Sequence, residues 1–454
     1  MLIFNDMKHL IPVSFLLVIA VLYGCGSSTS GELTGVQGRN KYFESDPYGM
    51  TFIPAGVFTV GISDQDVAWA QNNQAKTVTT DAFWMDQTEI TNNEYRQFVY
   101  WTRDSIKRRM LAKAGIDGFL LEGDEYDMLD EDQRPLNWKT RIDTKKHDDQ
   151  KEALEELYYP VHERFFGKKE IDTRKLIYEY QWVDMQQAAK PGNRYDFQKK
   201  QYNGFAFNAL GEKVEVKDRS AFIMHDNVPV YPDTLCWISD FTYSYNEPFA
   251  ATYFYHVAYD DYPVVGVNWK QATAFCIWRT RLLNNALGAA GDPEVHKYRL
   301  PTEYEWEWAA RGGLLGEKYP WGGPYTRNNL GCFLANFKPL RGNYADDGAQ
   351  RTTRVATYEP NDYGLYDMAG NVAEWTRSAY TESINSVVAD LNPNYEYNAR
   401  PDEPAVRKRK VIRGGSWKDI EYYLQVSTRT YEYQDTATSY IGFRCVRDYF
   451  DGRK

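Results

Sequence analysis

The sequence predicts a loop-rich fold of short strands and capped helices, divided by a large ordered insertion. Three observations lead there. Short β-prone runs are punctuated by Pro and Gly, as in Met50-Thr51-Phe52-Ile53-Pro54-Ala55-Gly56-Val57-Phe58. Helix starts recur as capping boxes, in which a Ser, Thr or Asn is followed three residues later by Glu or Gln. Between residues 106 and 259 the texture of the chain changes, yet it stays too aromatic for disorder.

The helices follow from their starts. Thr91 is the N-cap of the first and Glu94 its N3 residue, and Tyr95, Phe98, Val99 and Thr102 then line one buried face. Asn268 caps a second helix, with Gln271 at N3 and Ala272, Phe275, Cys276 and Trp278 inside. Thr302 caps a third, with Glu305 at N3 and Gly312 to end it. Trp306 and Trp308 cannot share one stripe of that short helix, so it is buried on more than one side. Within 106–259, Asp124 to Asp132 is acidic, Lys139 to Lys151 is charge-mixed, and Glu152 to Tyr159 reads as helix. Lys213-Val214-Glu215-Val216-Lys217 alternates as an edge strand does, and tyrosines crowd Val228 to Tyr259.

At 454 residues the chain has length for one large core or two domains. Its 36 Tyr, 22 Phe and 13 Trp supply large amphipathic rings for such a core. A net charge of -10 excludes a nucleic-acid binder, which needs a basic face to displace counterions from phosphates. There is no GxSxG, GxxxxGK[ST] or HExxH motif, and the six histidines are scattered. Paired carboxylates such as Asp346-Asp347 suit a solvated loop or a cation better than acid/base work.

The first residues read as an export signal. Lys8 and His9 precede an apolar run from Leu10 to Tyr23, too short to span a hydrocarbon core of about 30 Å but the length of a signal-peptide h-region. Leu22-Tyr23-Gly24-Cys25 resembles a bacterial lipobox, which makes 1–24 a lipoprotein signal peptide and Cys25 the lipidated residue. Residues 25–45 then hold the lipidated Cys and a flexible tether, whose Ser/Thr/Gly-rich part from Gly26 to Gly38 has a reach of about 20 Å. Four cysteines remain, Cys236, Cys276, Cys332 and Cys445, none in a CxxC pair. In an oxidising compartment that spacing favours one or two structural bridges over a zinc site.

Seven phrases stand in one order: MTFIPAGVFTVG from Met50, EITNNEYRQF from Glu89, YPVVGVNWKQATAFCIW from Tyr262, RLPTEYEWEWAARGG from Arg299, NDYGLYDMAGNVAEW from Asn361, RGGSW from Arg413 and GFRC from Gly442. Together they resemble the formylglycine-generating-enzyme (sulfatase-modifying factor) family. The resemblance implies a compact α+β fold related to C-type lectins, split into 46–105 and 260–454 by the insertion 106–259. Family catalysis uses two copper-binding cysteines just beyond RGGS, and soft sulfur is what Cu(I) needs. The matching positions here are Asp419 and Leu424, which implies no copper and no catalytic residue. The resemblance further implies a calcium site from the side chains of Asp367 and Glu374 with the carbonyls of Gly370 and Val372. A second would use the side chains of Asn336 and Asp347 with the carbonyls of Phe337 and Ala349. It also implies a disulfide between Cys276 and Cys445, and leaves Cys236 and Cys332 unassigned.

The lipobox, the run FWMDQTEITNNEYRQFVYWTRDSI from Phe83 and the long insertion resemble the PorK/GldK lipoproteins of the type IX secretion and gliding machinery. That implies a non-catalytic protein, lipid-anchored in the outer membrane and facing the periplasm, which self-associates into a ring with a PorN/GldN-type partner. A gliding lipoprotein of GldJ type and a ligand-binding module are the alternatives, and an active formylglycine-generating oxidase is disfavoured.

Overall fold

The computed structural model describes residues 44–61, 74–123, 126, 130, 134–208, 211–243, 247–340, 343, 345 and 349–450. The signal peptide, Cys25, the tether as far as residue 43, and Asp346 and Asp347 lie outside the described residues. Asp46–Lys454 forms one compact unit. Among the described residues no helix is long and apolar enough to cross a membrane.

Three long helices start where the sequence places them. In α1 (Asn92–Lys113) the Glu94 amide donates to Thr91 Oγ1 at 3.3 Å and the Thr91 amide donates to Glu94 Oε2 at 2.8 Å. In α2 (Trp269–Ala290) Asn268 and Gln271 exchange the same bonds at 2.9 and 2.8 Å, and Gly291 ends the helix at φ +79°. In α3 (Glu303–Arg311) Thr302 and Glu305 close a third box. Trp306 and Trp308 are both buried, on different sides: Trp306 Nε1 donates to Glu374 Oε2 and Trp308 Nε1 to the Pro54 carbonyl, each at 2.8 Å.

Two four-stranded sheets carry the core. Strands β1 (Met50–Ile53), β2 (Gly56–Val60), β3 (Lys76–Thr80) and β4 (Phe83–Asp86) open the chain, and β2 and β3 pair as a hairpin. Midway come β5 (Ile177–Val183), β6 (Tyr195–Asp196), β7 (Gln201–Tyr202), β8 (Phe205–Phe207), β9 (Lys213–Glu215) and β10 (Ile223–Pro229). The last are β11 (Tyr298–Arg299), β12 (Ala373–Ala379), β13 (Arg409–Arg413), β14 (Thr430–Tyr433), β15 (Ile441–Gly442) and β16 (Val446–Asp448). One sheet runs β1-β4-β16-β11, all antiparallel, so the first and last parts of the chain share it. The other runs β14-β13-β12-β15, with β12 and β15 parallel. Between them α1 meets α2, where Tyr95 stacks on Phe275 at 5.6 Å and Phe98 packs on Trp278 at 5.3 Å.

The interval 106–259 is built into this core. β5 and β10 pair antiparallel, with Tyr178 opposite Val228 and Tyr180 opposite Asp226. Tyr178, Tyr180, Val228, Val230 and Phe254 belong to the same buried cluster as Tyr95, Phe98 and Phe275. Tyr178 sets its edge against Phe98 at 5.2 Å, and Tyr95 Oη donates to the Val230 carbonyl at 3.1 Å. Glu152 to Tyr159 is helical only in part: the helix Asp148–Ala153 stops at Leu154 (ψ 0°), and a 3-10 turn, Glu155–Leu157, replaces it. Lys213–Glu215 is a strand, but in a small hairpin with β8 rather than at the edge of a main sheet.

This packing sets an expectation for deletion. Tyr178→Ala should cost about 3 kcal/mol in denaturant unfolding, the range of large buried aromatics. The interval also begins inside α1, taking its last residues from 106 to Lys113, so replacing 106–259 by a short Gly/Ser linker truncates that helix and strips one of its sides; it should abolish the cooperative transition, and a sharp, near-wild-type transition would show the interval to be an appendage.

Candidate functional site

The motif phrases converge on one buried ionic knot. Glu374, on β12, and Arg444, just past β15, are both fully buried. Arg444 Nε donates to Glu374 Oε1 and Oε2 at 2.9 and 2.8 Å, and Nη2 donates to Oε1 at 2.6 Å. The remaining guanidinium donors reach the carbonyls of Asp86, Gln87 and Tyr366. Asn371, left-handed at φ +57°, ties in three further segments. Its amide donates to the Asn336 carbonyl at 2.8 Å, its Oδ1 accepts from the Thr353 amide at 2.9 Å, and its carbonyl accepts from the Trp417 amide at 2.9 Å. Asn371 Nδ2 and the Val372 amide donate to the two oxygens of Glu89 at 3.2 and 3.3 Å. Glu89 is the residue that sequence reasoning missed: it precedes the Thr91 capping box, and nothing in its neighbours marks it for full burial.

The knot contains an unsatisfied carboxylate. Asp367, at φ +54°, accepts from the Ala356 amide through Oδ2 at 2.7 Å, while its buried Oδ1 has no hydrogen-bond partner. Burial, reinforced by Glu374, pushes the Asp367 carboxyl up to about 6 against the opposing Ala356 hydrogen bond and Arg444. Burial, with Asp367 next in weight, pushes Glu89 well above the usual carboxylate range. Three carboxylates, Glu89, Asp367 and Glu374, thus surround the single guanidinium of Arg444, an imbalance that a divalent cation on Asp367 Oδ1 would offset. Of the four expected first-site ligands, Glu374 is already engaged by Arg444 and Trp306. Gly370 and Val372 stand on the same turn, and a β-carbon at Gly370 would lie 2.4 Å from the Asn336 carbonyl oxygen. Among the described residues no group of three or more His, Cys, Asp or Glu is gathered tightly enough to hold a metal by itself. The second set is described only in part, because Asp347 lies outside the described residues. Asn336 Nδ2 donates to the Arg351 carbonyl at 2.7 Å, Phe337 is buried, Ala349 lies in coil, and Asp347 falls outside.

Asp419 and Leu424, which the resemblance aligns with the family's catalytic thiols, have partners of their own. Asp419 is half-buried and accepts from Ser416 Oγ through Oδ2 at 2.6 Å. Burial raises its carboxyl above the ordinary value despite that bond. Leu424 is fully buried among Tyr319, Ala335, Phe337 and Ala369. Beside them Trp417 stacks on Phe241 at 5.8 Å, and Lys418 Nζ donates to Asp240 Oδ1 at 2.5 Å. No sulfur is available at either position.

Cys276 and Cys445 face each other in the core with their sulfurs 3.4 Å apart and unbonded. The two cysteines of the expected bridge are thus brought together across the core. Cys236 is buried and Cys332 exposed, and both are free.

Residues 37–157 and 183–449 match the sulfatase-modifying factor enzyme 1-like domain. The chain belongs to this family. Inactive C-alpha-formylglycine-generating enzyme 2 of Bos taurus is 36% identical over 192 residues, 41% of this chain and 50% of that protein. Formylglycine-generating enzyme of Mus musculus is 26% identical over 406 residues, 88% of this chain and 75% of that protein. The chain spans about half the length of the first curated relatives it matches. The solved structure of PvdO from Pseudomonas aeruginosa aligns over 88% of this chain and 94% of that one, at 17% identity and a TM-score of 0.43. Sulfatase-modifying-factor relatives thus include proteins named as inactive and proteins named as enzymes. The match leaves 158–182 outside, a narrower gap than the 106–259 interval read from texture.

The Asp419 carboxyl yields a pH expectation. A carboxyl raised by burial binds its proton more tightly folded than unfolded, so stability falls as pH rises through and beyond the unfolded value near 4. Asp419→Asn, which keeps an acceptor for Ser416, should be more stable than wild type at pH 7. The difference should vanish below about pH 4, where both side chains are neutral; equal stability at all pH values would contradict the buried-carboxylate account.

Proposed function

We propose that this chain is a non-catalytic structural lipoprotein, a protomer of a periplasmic ring beneath the outer membrane that works with a PorN/GldN-type partner in type IX protein secretion, and in gliding where that occurs. One observation supports the non-catalytic part: the resemblance aligns Asp419 and Leu424 with the two positions where the chemistry needs thiolates. A carboxylate tied to Ser416 and a leucine packed against four buried neighbours cannot bind Cu(I). The similarity to proteins named inactive supports the same reading. The lipobox at Cys25 supports the anchor, and the resemblance of the Phe83 run and the insertion supports the secretion role. Head-to-tail contacts close a ring where the rotation permits.

Cross-linking in native outer membranes tests this reading. Large stoichiometric particles with a periplasmic partner should be recovered, and the purified protein with copper and oxygen should leave a sulfatase-type peptide cysteine unconverted. A monomer in the membrane, or measurable formylglycine, would overturn it.

In this reading calcium is structural and sits at Asp367 with the Gly370 and Val372 carbonyls. At a hundredfold excess over Kd, calcium should add about 2.7 kcal/mol to unfolding stability, and Asp367→Ala should remove that gain. Stabilisation of both proteins alike would place the ion elsewhere.

Export to an oxidising compartment would close the Cys276–Cys445 pair. The chain-entropy model gives such a long loop about 4–5 kcal/mol. Non-reducing peptide mapping of protein taken from the periplasmic face should find the two cysteines linked, and two alkylatable thiols there would contradict the compartment or the pairing.

A further inference from the structure

The β2–β3 hairpin has two outer edges, and among the described residues only one of them is covered. Along β3, Thr79 is bonded to an extended stretch of chain: its amide donates to the Asp390 carbonyl and its carbonyl accepts from the Asn392 amide, each at 2.8 Å. In an antiparallel pair the main-chain groups of successive residues point alternately inward and outward. Thr79 points outward and stands opposite Val57, so Val57 and Thr59 turn their N–H and C=O groups to the outer edge of β2. None of those four groups has a hydrogen-bond partner among the described residues. The next outward amide, that of Gly61, is closed by a buried carboxylate, donating to Glu307 Oε1 at 3.2 Å.

The open edge borders a cavity of about 390 Å³, whose lining is completed by residues 315–318, Gln425 and Ser427. That volume lies within the range of ligand sites. The charges in the lining balance: Arg311 is held by Glu307 at 2.7 Å, and Glu317 and Lys318 carry opposite signs. The strand is fixed from below, where Phe58 packs on Trp308 of α3 at 5.2 Å, while Val57 and Thr59 stay exposed. Its sequence, Gly-Val-Phe-Thr-Val in unbroken register with β3, has no charge, proline or bulge, the devices that keep an exposed edge from pairing.

We infer that the outer edge of β2 binds an extended, uncharged peptide segment of a partner protein, which joins the hairpin as a third strand. Main-chain donors and acceptors at strand spacing are what another peptide backbone matches, with the added strand running about 4.8 Å away. Asp390 to Asn392 shows what such an occupant does, since it pairs with the opposite edge of the same hairpin through its backbone alone at Thr79. The balanced charges of the cavity select against a charged segment. This site goes beyond the ring reading and stands whether or not the chain assembles into one.

The purified full-length protein is titrated with the fluorescein-labelled peptide Thr-Val-Thr-Val-Thr, an uncharged β-prone probe, and with the same peptide N-methylated at every residue. The parent peptide should bind and slow amide hydrogen exchange in residues 56–60, and the methylated one, which has no main-chain donors, should do neither. Thr59→Pro removes an outward donor that β3 does not use, so it should weaken binding about tenfold and leave the unfolding midpoint in place. Thr59→Val keeps the amide and should bind as wild type does. The idea is overturned by exchange in 56–60 that millimolar parent peptide leaves unchanged, by equal binding of the methylated peptide, or by a folded Thr59→Pro protein that binds like wild type. Protection of 56–60 that rises with protein concentration in the absence of peptide would also overturn it, and would make a second copy of the chain the occupant.

Discussion

The Glu374–Arg444 pair is the interaction on which the rest of the structure depends. Removing two opposite charges from water costs several kcal/mol per ion, and attraction repays that only when the remaining donors and acceptors are also met. Here the guanidinium bonds to Glu374 and to three backbone carbonyls, while Glu374 accepts from Trp306 as well. Those partners come from β4, α3, β12 and the segment after β15, so the pair fixes both sheets and the third helix relative to one another. Asn371 and Glu89 extend the same network to the turn at Asn336 and to the residue before α1.

The knot stands independently of the two positions on which the proposed non-catalytic reading turns. The knot needs no thiolate, and neither Asp419 nor Leu424 donates or accepts a bond within it. Leu424 contributes apolar packing where a cysteine would contribute a smaller side chain, and Asp419 closes a short turn with Ser416. Neither side chain shares the load that Glu374 and Arg444 carry. The crowding of carboxylates around Asp367 belongs to the same turn, whose backbone is left-handed at Asp367, Gly370 and Asn371.

The helices were legible because capping is local. Thr91, Asn268 and Thr302 each declare a start within four residues, and the buried face follows from spacing. Gly312 was legible as a stop because a left-handed cap there favours glycine. What lay beyond local pattern was harder. Glu89 lies 282 residues from its partner Asn371, so its burial is visible only once the chain is folded. The interval 106–259 looked foreign because its charges and tyrosines break the surrounding texture, yet Tyr178 and Val228 reach the core through strand pairing that no short window contains. The candidate cation ligands were legible only through likeness, and the structure leaves Asp367 Oδ1, not Glu374, as the oxygen without a partner.

A double-mutant cycle on the knot tests its central role most directly. The unfolding free energies of wild type, Glu374→Gln, Arg444→Met and the double variant would be measured by denaturant titration. Each single change strands a buried charge, so each should cost about 3–5 kcal/mol, and the double variant should cost much less than their sum. Single losses below about 1 kcal/mol that simply add would show the pair to be incidental to the fold.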